Sequence, residues 1–163
     1  MSLLAIIPAR GGSKGIQNKN IIDFLGKPLI HHTIQAALNS LSIDSIIVSS
    51  DNKEIIETSL KFENIYIDHR PASLATDESH IIHTILRIIK AYPNYDEVIL
   101  LQPTSPLRNS EDIDSIKIFK SKKQLKSVVS ICKCETPPEL IYKMNEKEIL
   151  EPLLKYENIN KRR

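Results

Sequence analysis

Pro8-Ala9-Arg10-Gly11-Gly12-Ser13-Lys14-Gly15-Ile16-Gln17-Asn18-Lys19-Asn20 is the stretch whose reading decides the fold. It follows an apolar run, Leu3 to Ile7, that reads as a buried strand. It holds three of the chain's four glycines, three cations (Arg10, Lys14 and Lys19) and no acid. A Gly-rich turn at the carboxyl end of a first strand lets backbone N–H groups converge on an anion. Glycine removes the Cβ that blocks such an approach and permits φ > 0. Arg10 offers a planar fork to phosphate oxygens, and Lys14 and Lys19 offer mobile point charges. A polyphosphate site is expected, most simply for a nucleoside triphosphate. The residue order is neither that of a Walker A loop nor that of a dinucleotide fingerprint.

Outward from this loop, strands and helices alternate. Apolar residues at helical spacing predict a helix over 28–39, with the adjacent His31 and His32 as ordinary surface residues. A nearly continuous apolar run over 45–49 predicts a second strand, buried on both faces. Asp51, with Glu54 three residues on, reads as the cap of a helix over 53–60. A third strand is expected over 64–67. Arg70 precedes Pro71, which favours an extended backbone that lets it point into a cleft. Thr76 or Asp77 is the expected cap of a helix over 78–91, on which His80 and His83 read as structural. A fourth strand over 97–101 runs into the proline-stiffened loop Gln102-Pro103-Thr104-Ser105-Pro106-Leu107-Arg108, suited to recognising a polyhydroxylated sugar. A helix over 110–120 capped by Ser110 and a fifth strand over 126–132 complete the pattern.

This alternation predicts an α/β fold, a parallel-dominated sheet flanked by helices. Ligands of such sheets bind outside the carboxyl ends of the strands, where the three polar loops begin. Residues 1–134 are expected to form a nucleotide-binding α/β core. Residues 135–163, where Pro137-Pro138 and Pro152 break the pattern, are expected to begin a hairpin or dimerisation arm.

The 163 residues suffice for one domain with a real core. With 41% hydrophobic residues, 26% charged residues and a net charge of +2, nothing calls for nucleic acid or membrane as a partner. Cys132 and Cys134 lack the partners of a zinc site and read as free thiols of a reducing compartment. The N-terminal apolar run is too short for a signal peptide, so a cytoplasmic protein is expected.

Four segments, in order, carry a resemblance: Ile7 to Gly15 with Lys19-Asn20, Gly26-Lys27-Pro28-Leu29-Ile30, Arg70-Pro71-Ala72-Ser73-Leu74-Ala75-Thr76-Asp77, and Leu101 to Arg108. Together they resemble the signature of the acylneuraminate cytidylyltransferases, the CMP-sialic acid synthetases and their relatives for legionaminic and pseudaminic acids. The resemblance implies a nucleotide-diphospho-sugar transferase-like, Rossmann-like three-layer fold, incomplete at its C-terminal end. It implies transfer of CMP from CTP to the anomeric hydroxyl of a nine-carbon 2-keto sugar acid, with release of pyrophosphate. Ala9, Arg10, Gly11, Ser13, Lys14, Lys19, Asn20 and Arg70 would then bind the nucleotide, with Arg10 and Lys14 catalytic, and Gln102 and Ser105 would meet the sugar. Mg²⁺ is expected from the family. Its later Asn-Gly segment and the Mg²⁺-holding Asp-x-Asp beyond that segment have no counterpart in these 163 residues, so no metal ligand is assigned. Related Kdo enzymes place an acid after strand four, where Thr104 stands here. The chain thus resembles the N-terminal portion of a homodimeric enzyme and is expected to turn over poorly alone. The alternatives are another sugar nucleotidyltransferase, of Kdo or sugar-phosphate type, and a nucleotide-binding module without turnover.

Overall fold

The computed structural model describes residues 1–12, 15–133, 135–137 and 140–153. Its contacts divide the chain into two compact units, residues 1–128 and 129–163. The boundary falls after Val128 rather than after residue 134.

The first unit is built on four parallel strands in the order β5-β4-β1-β6. They are β1 (Leu3–Pro8), β4 (Ser45–Ser50), β5 (Tyr66–His69) and β6 (Glu97–Leu100). β1 is central, with Ile6 opposite Ile47 on one side and Leu100 on the other. Its position explains its composition. Both faces of a central parallel strand are covered, so every residue from Leu3 to Ile7 is apolar and buried. Ala5, Ile7, Ile46 and Val48 pack on one face against Ile30 and Ile34 of α1 (Leu29–Asn39), Ile55 of α2 (Lys53–Ser59) and Ile113 of α4 (Ser110–Lys122). Leu4, Ile6 and Ile47 pack on the other against Ile88 of α3 (Ile81–Ala91). Each fully buried isoleucine stabilises the fold by about 1.5–3 kcal/mol.

Between β1 and α1 lies a short antiparallel hairpin, β2 (Asp23–Phe24) and β3 (Lys27–Pro28). Its two turn residues, Leu25 and Gly26, have φ of 53° and 83°. Positive φ at both positions is what a tight two-residue hairpin requires. Gly26 adopts it without strain, whereas Leu25 pays a steric penalty and stands 76% exposed.

Several local expectations are corrected. The cap of α2 is Asn52, which accepts from Ile55 N at 3.0 Å, and Asp51 bonds elsewhere. The cap of α3 is His80, and that of α4 is Asn109 in a reciprocal box with Asp112. β5 starts two residues late because Asn64 sits in the left-handed region at φ 61°. His31 is buried rather than on the surface. Its ring packs edge-on against Phe62, and its Nε2–H donates to the Thr58 carbonyl at 3.0 Å. Burial holds its pKa below the ordinary value, against the Thr58 hydrogen bond.

No strand forms over 126–132, where Val129 and Ile131 are 79% and 90% exposed. β-branched residues favour strands only with a pleated neighbour to pack on, and among the described residues none pairs with this segment. The second unit holds a hairpin of β7 (Tyr142–Met144) and β8 (Leu150–Pro152). The Asn145 side chain accepts from Lys147 N and Ile149 N and closes its turn. Among the described residues no helix is long and apolar enough to cross a membrane.

Candidate functional site

Because all four strands run parallel, their carboxyl ends open on one edge. There the loops after β1, β5 and β6 enclose a cleft of about 620 Å³. The loop after β1 contributes Arg10, Gly15, Ile16, Lys19 and Asn20. The loop after β5 contributes Arg70, Leu74, Thr76, Asp77 and Ser79. The loop after β6 contributes Gln102, Pro103 and Thr104.

The loop after β1 is pinned at several points. Ala9 is fully buried, and its N–H donates to the Ser49 carbonyl at 2.9 Å. Gly11 N–H donates to Asp51 Oδ1 at 3.1 Å. The buried Asn20 donates from Nδ2 to the Arg10 carbonyl at 2.9 Å. The need for glycine differs along the loop. A Cβ on Gly11 would lie 2.8 Å from Asn52 Cβ, so the start of α2 demands glycine there. A Cβ on Gly12 or Gly15 would meet nothing within 4 Å. Neither the φ > 0 argument nor a protein contact accounts for those two positions, since Gly26 is the positive-φ glycine among the described residues. Ser13 and Lys14, expected to bind nucleotide, lie outside the described residues.

Two arginines face the cleft in different states. Arg10 is half-exposed, and its Nη2 meets Asp77 Oδ1 at 2.6 Å across the mouth. Its Nη1 reaches the Ala75 carbonyl at 3.5 Å. Arg70 is 7% exposed. Its Nη2 donates to the Ser49 carbonyl at 2.7 Å, and its Nε donates to Ser49 Oγ at 3.2 Å. Burial lowers the Arg70 pKa, and the Asp51 and Asp68 carboxylates oppose that. Asp68 in turn accepts from Ser49 Oγ at 2.7 Å and is gripped through both oxygens by Arg87 of α3.

The loop after β6 is supported from beneath. Arg108 Nη2 donates to the Gln102 carbonyl at 3.3 Å and reaches Thr33 Oγ1 at 3.5 Å. Gln102 lines the cleft with its side chain exposed, and Ser105 does not line it. The structure therefore brings Arg10, Lys19, Asn20, Arg70 and Gln102 to one cavity. Ala9 and Gly11 support it from outside the lining.

Sequence reasoning missed three roles here. Asp77 was read as a cap and is the partner of Arg10. Asp51 was also read as a cap and holds Gly11. Ser49 and Asp68 were not singled out. A divalent cation held by protein side chains does not fit what is seen. Among the described residues no group of three or more His, Cys, Asp and Glu is arranged to hold one, and the carboxylate lining the cleft is occupied by Arg10.

Comparison with known proteins shows the family of the chain. The pattern of a family described as Cytidylyltransferase matches residues 4–150. The N-acylneuraminate cytidylyltransferase of Escherichia coli is 34% identical over 145 residues, covering 88% of this chain and 34% of that protein. The CMP-N,N'-diacetyllegionaminic acid synthase of Legionella pneumophila is 41% identical over 143 residues, covering 85% of this chain and 61% of that protein. The chain thus spans between a third and about three fifths of the length of these relatives. In fold it is similar to a CMP:2-keto-3-deoxy-manno-octonic acid synthetase complexed with CTP, at a TM-score of 0.64 and 20% identity, over 76% of this chain and 49% of that one.

Proposed function

We propose, from the premise that this chain belongs to the cytidylyltransferase family, that it forms the nucleotide-binding part of an enzyme that transfers CMP from CTP to a sialic-acid-like 2-keto sugar acid. The observation that carries this reading is the convergence of Arg10, Lys19 and Arg70 on one cleft at the carboxyl ends of parallel strands, opposite Gln102. In the reaction the anomeric hydroxyl oxygen of the sugar acid bonds to the α-phosphorus. The bond from that phosphorus to the bridging oxygen breaks, pyrophosphate leaves, and the hydroxyl proton is released. Charge on the leaving group must be neutralised, and fixed cations do this without reorganisation.

On this reading Arg10 and Lys14 bind and stabilise the triphosphate. Lys19 and, by its place in the sequence, Ser13 serve the same phosphates, and among the described residues nothing crowds a phosphate at Gly12 or Gly15. Asn20 holds the Arg10 backbone in place. Arg70 contacts the nucleotide from the buried side. Gln102 and Thr104 meet the sugar acid, with Ser105 on the adjoining turn. The relatives' names keep acylneuraminate, legionaminate and pseudaminate derivatives together as the acceptor class. A homodimeric, cytoplasmic enzyme working with Mg²⁺ belongs to the same proposal. Since the described residues build no site for the cation, no step is assigned to it.

The test is a thermal-shift titration with CTP, UTP, ATP and GTP, with and without Mg²⁺, beside Arg10→Ala. A ligand that binds only the folded state raises Tm. The expected result is a rise selective for CTP and lost in Arg10→Ala. No shift with any nucleotide would overturn the reading. A CTP shift without pyrophosphate release on adding the sugar acid would reduce it to a binding module.

A further inference from the structure

Arg70 is the buried cation of the cleft lining, and it is held by a chain of polar groups that none of the proposed chemistry uses. The Nε and Nη2 edge of its guanidinium rests on one residue, Ser49, through the hydroxyl at 3.2 Å and the carbonyl at 2.7 Å. The Ser49 hydroxyl has a single proton, and it is donated to Asp68 at 2.7 Å. A lone pair of the same oxygen must therefore face Arg70 Nε. Arg87 grips Asp68 from α3 through both carboxylate oxygens and keeps it turned toward Ser49. Ser49 is fully buried, so water does not replace either bond. The direction of every hydrogen bond in the series is thus fixed by its neighbour. Nη1 is the guanidinium nitrogen of Arg70 left without such a bond among the described residues.

We propose that Ser49 and Asp68 are positioning residues that set the plane of the Arg70 guanidinium for the nucleotide, an inference that rests on the nucleotide role proposed for Arg70 above. An arginine on a flexible stem loses rotamer freedom when it binds a phosphate or a base. Here that loss has already occurred on folding. Ser49→Ala removes the acceptor at Nε and leaves the carbonyl as a single pivot. Asp68→Asn lets the Ser49 hydroxyl turn its proton toward Nε, where it repels.

The experiment is a double-mutant cycle on CTP affinity, measured by calorimetry on the full chain, with Tm recorded for each variant. The variants are Ser49→Ala, Arg70→Ala and the pair. Ser49→Ala is expected to weaken CTP binding about three- to tenfold, in line with the net worth of one ordinary hydrogen bond. In the Arg70→Ala background it is expected to change CTP binding no further. Asp68→Asn should behave in the same way, and Ser49→Thr, which keeps the hydroxyl, should restore affinity. Where Arg70→Ala does not fold, Arg70→Lys, which keeps the charge and lacks the fork, is the background. An equal loss from Ser49→Ala in both backgrounds would overturn the inference. So would a fall in Tm with unchanged affinity, which is what a purely structural network gives. An Arg70→Ala chain that binds CTP as the unsubstituted one does would remove the nucleotide role of Arg70, and this inference with it. An unsubstituted chain that binds no CTP would overturn the proposed function as well.

Discussion

Arg70 and Arg10 line the same cleft, yet they are held by different physics. On the inner side the buried Arg70 and Ser49 and the partly buried Asp68 and Arg87 form a series in which each bond is directed by the next. Beside it Gly11 lies against Asn52 at the start of α2 with no room for a methyl group. On the outer side Arg10 meets Asp77 half in water, carried by a loop of turns and a single 3₁₀ segment, Ala72–Leu74. On the function proposed above, a nucleotide gains from the inner side without rearranging it and on the outer side takes Arg10 from Asp77. One half of the site is set by folding and the other by exchange.

The largest expected effect that sharpens this contrast is on stability. Gly11→Ala forces a Cβ to 2.8 Å from Asn52 Cβ and is expected to destabilise the fold by about 1–3 kcal/mol, as overpacked sites do. Gly12→Ala adds its methyl group to open space and is expected to stay within about 0.5 kcal/mol while weakening CTP binding. Chemical denaturation of the two variants side by side checks both. Equal stability of the two would break the contrast.

A smaller effect is expected at the mouth. Asp77→Asn frees Arg10 from a pair of the exposed kind, worth about 0.2–1 kcal/mol. CTP should then bind up to about fivefold more tightly, with Tm nearly unchanged. Weaker binding would show that Asp77 serves the ligand rather than competing with it.

The smallest is a pH effect on the rigid side. His31 fastens α1 to the end of α2, and burial holds its pKa below the ordinary 6.5. The unfolded chain takes up a proton as pH falls through about 6.5, whereas the folded ring takes one up only at lower pH. Unfolding then binds protons, so stability from this residue is full above that range and declines below it. Tm of the unsubstituted chain should fall between pH 7.5 and 5.5 by more than that of His31→Gln. Parallel pH profiles would remove His31 from the account.

What the sequence disclosed follows from how local each signal is. Leu3 to Ile7 and 45–49 were legible as central strands, since burial on both faces leaves an unbroken apolar run. The cationic loop and Gln102 were legible because they stand directly after such runs. Capping was misread by one to four positions. Asp51, Thr76, Asp77 and Ser110 are as good candidates by type as Asn52, His80 and Asn109, and only the backbone path decides between them. The Ser49–Asp68–Arg70–Arg87 series was not legible, because it joins three elements through register alone: Ser49 pairs with Asp68 across β4 and β5. The strand expected over 126–132 failed because β-propensity describes a surface shared with a neighbour, not a property of the segment.

The place of β1 also bears on how the protein is made. The N-terminal strand sits between β4 and β6, and Ser2 is tied to Asp96, 94 positions away. At synthesis rates of about 5–20 residues per second, roughly 5–20 s separate the emergence of Ser2 from that of its partner. During that interval β1 and β4 can pair, while the edge destined for β6 stays open and carries Leu4 and Ile6 with it. The nascent chain therefore passes through a stage in which its most apolar strand is paired along one edge alone.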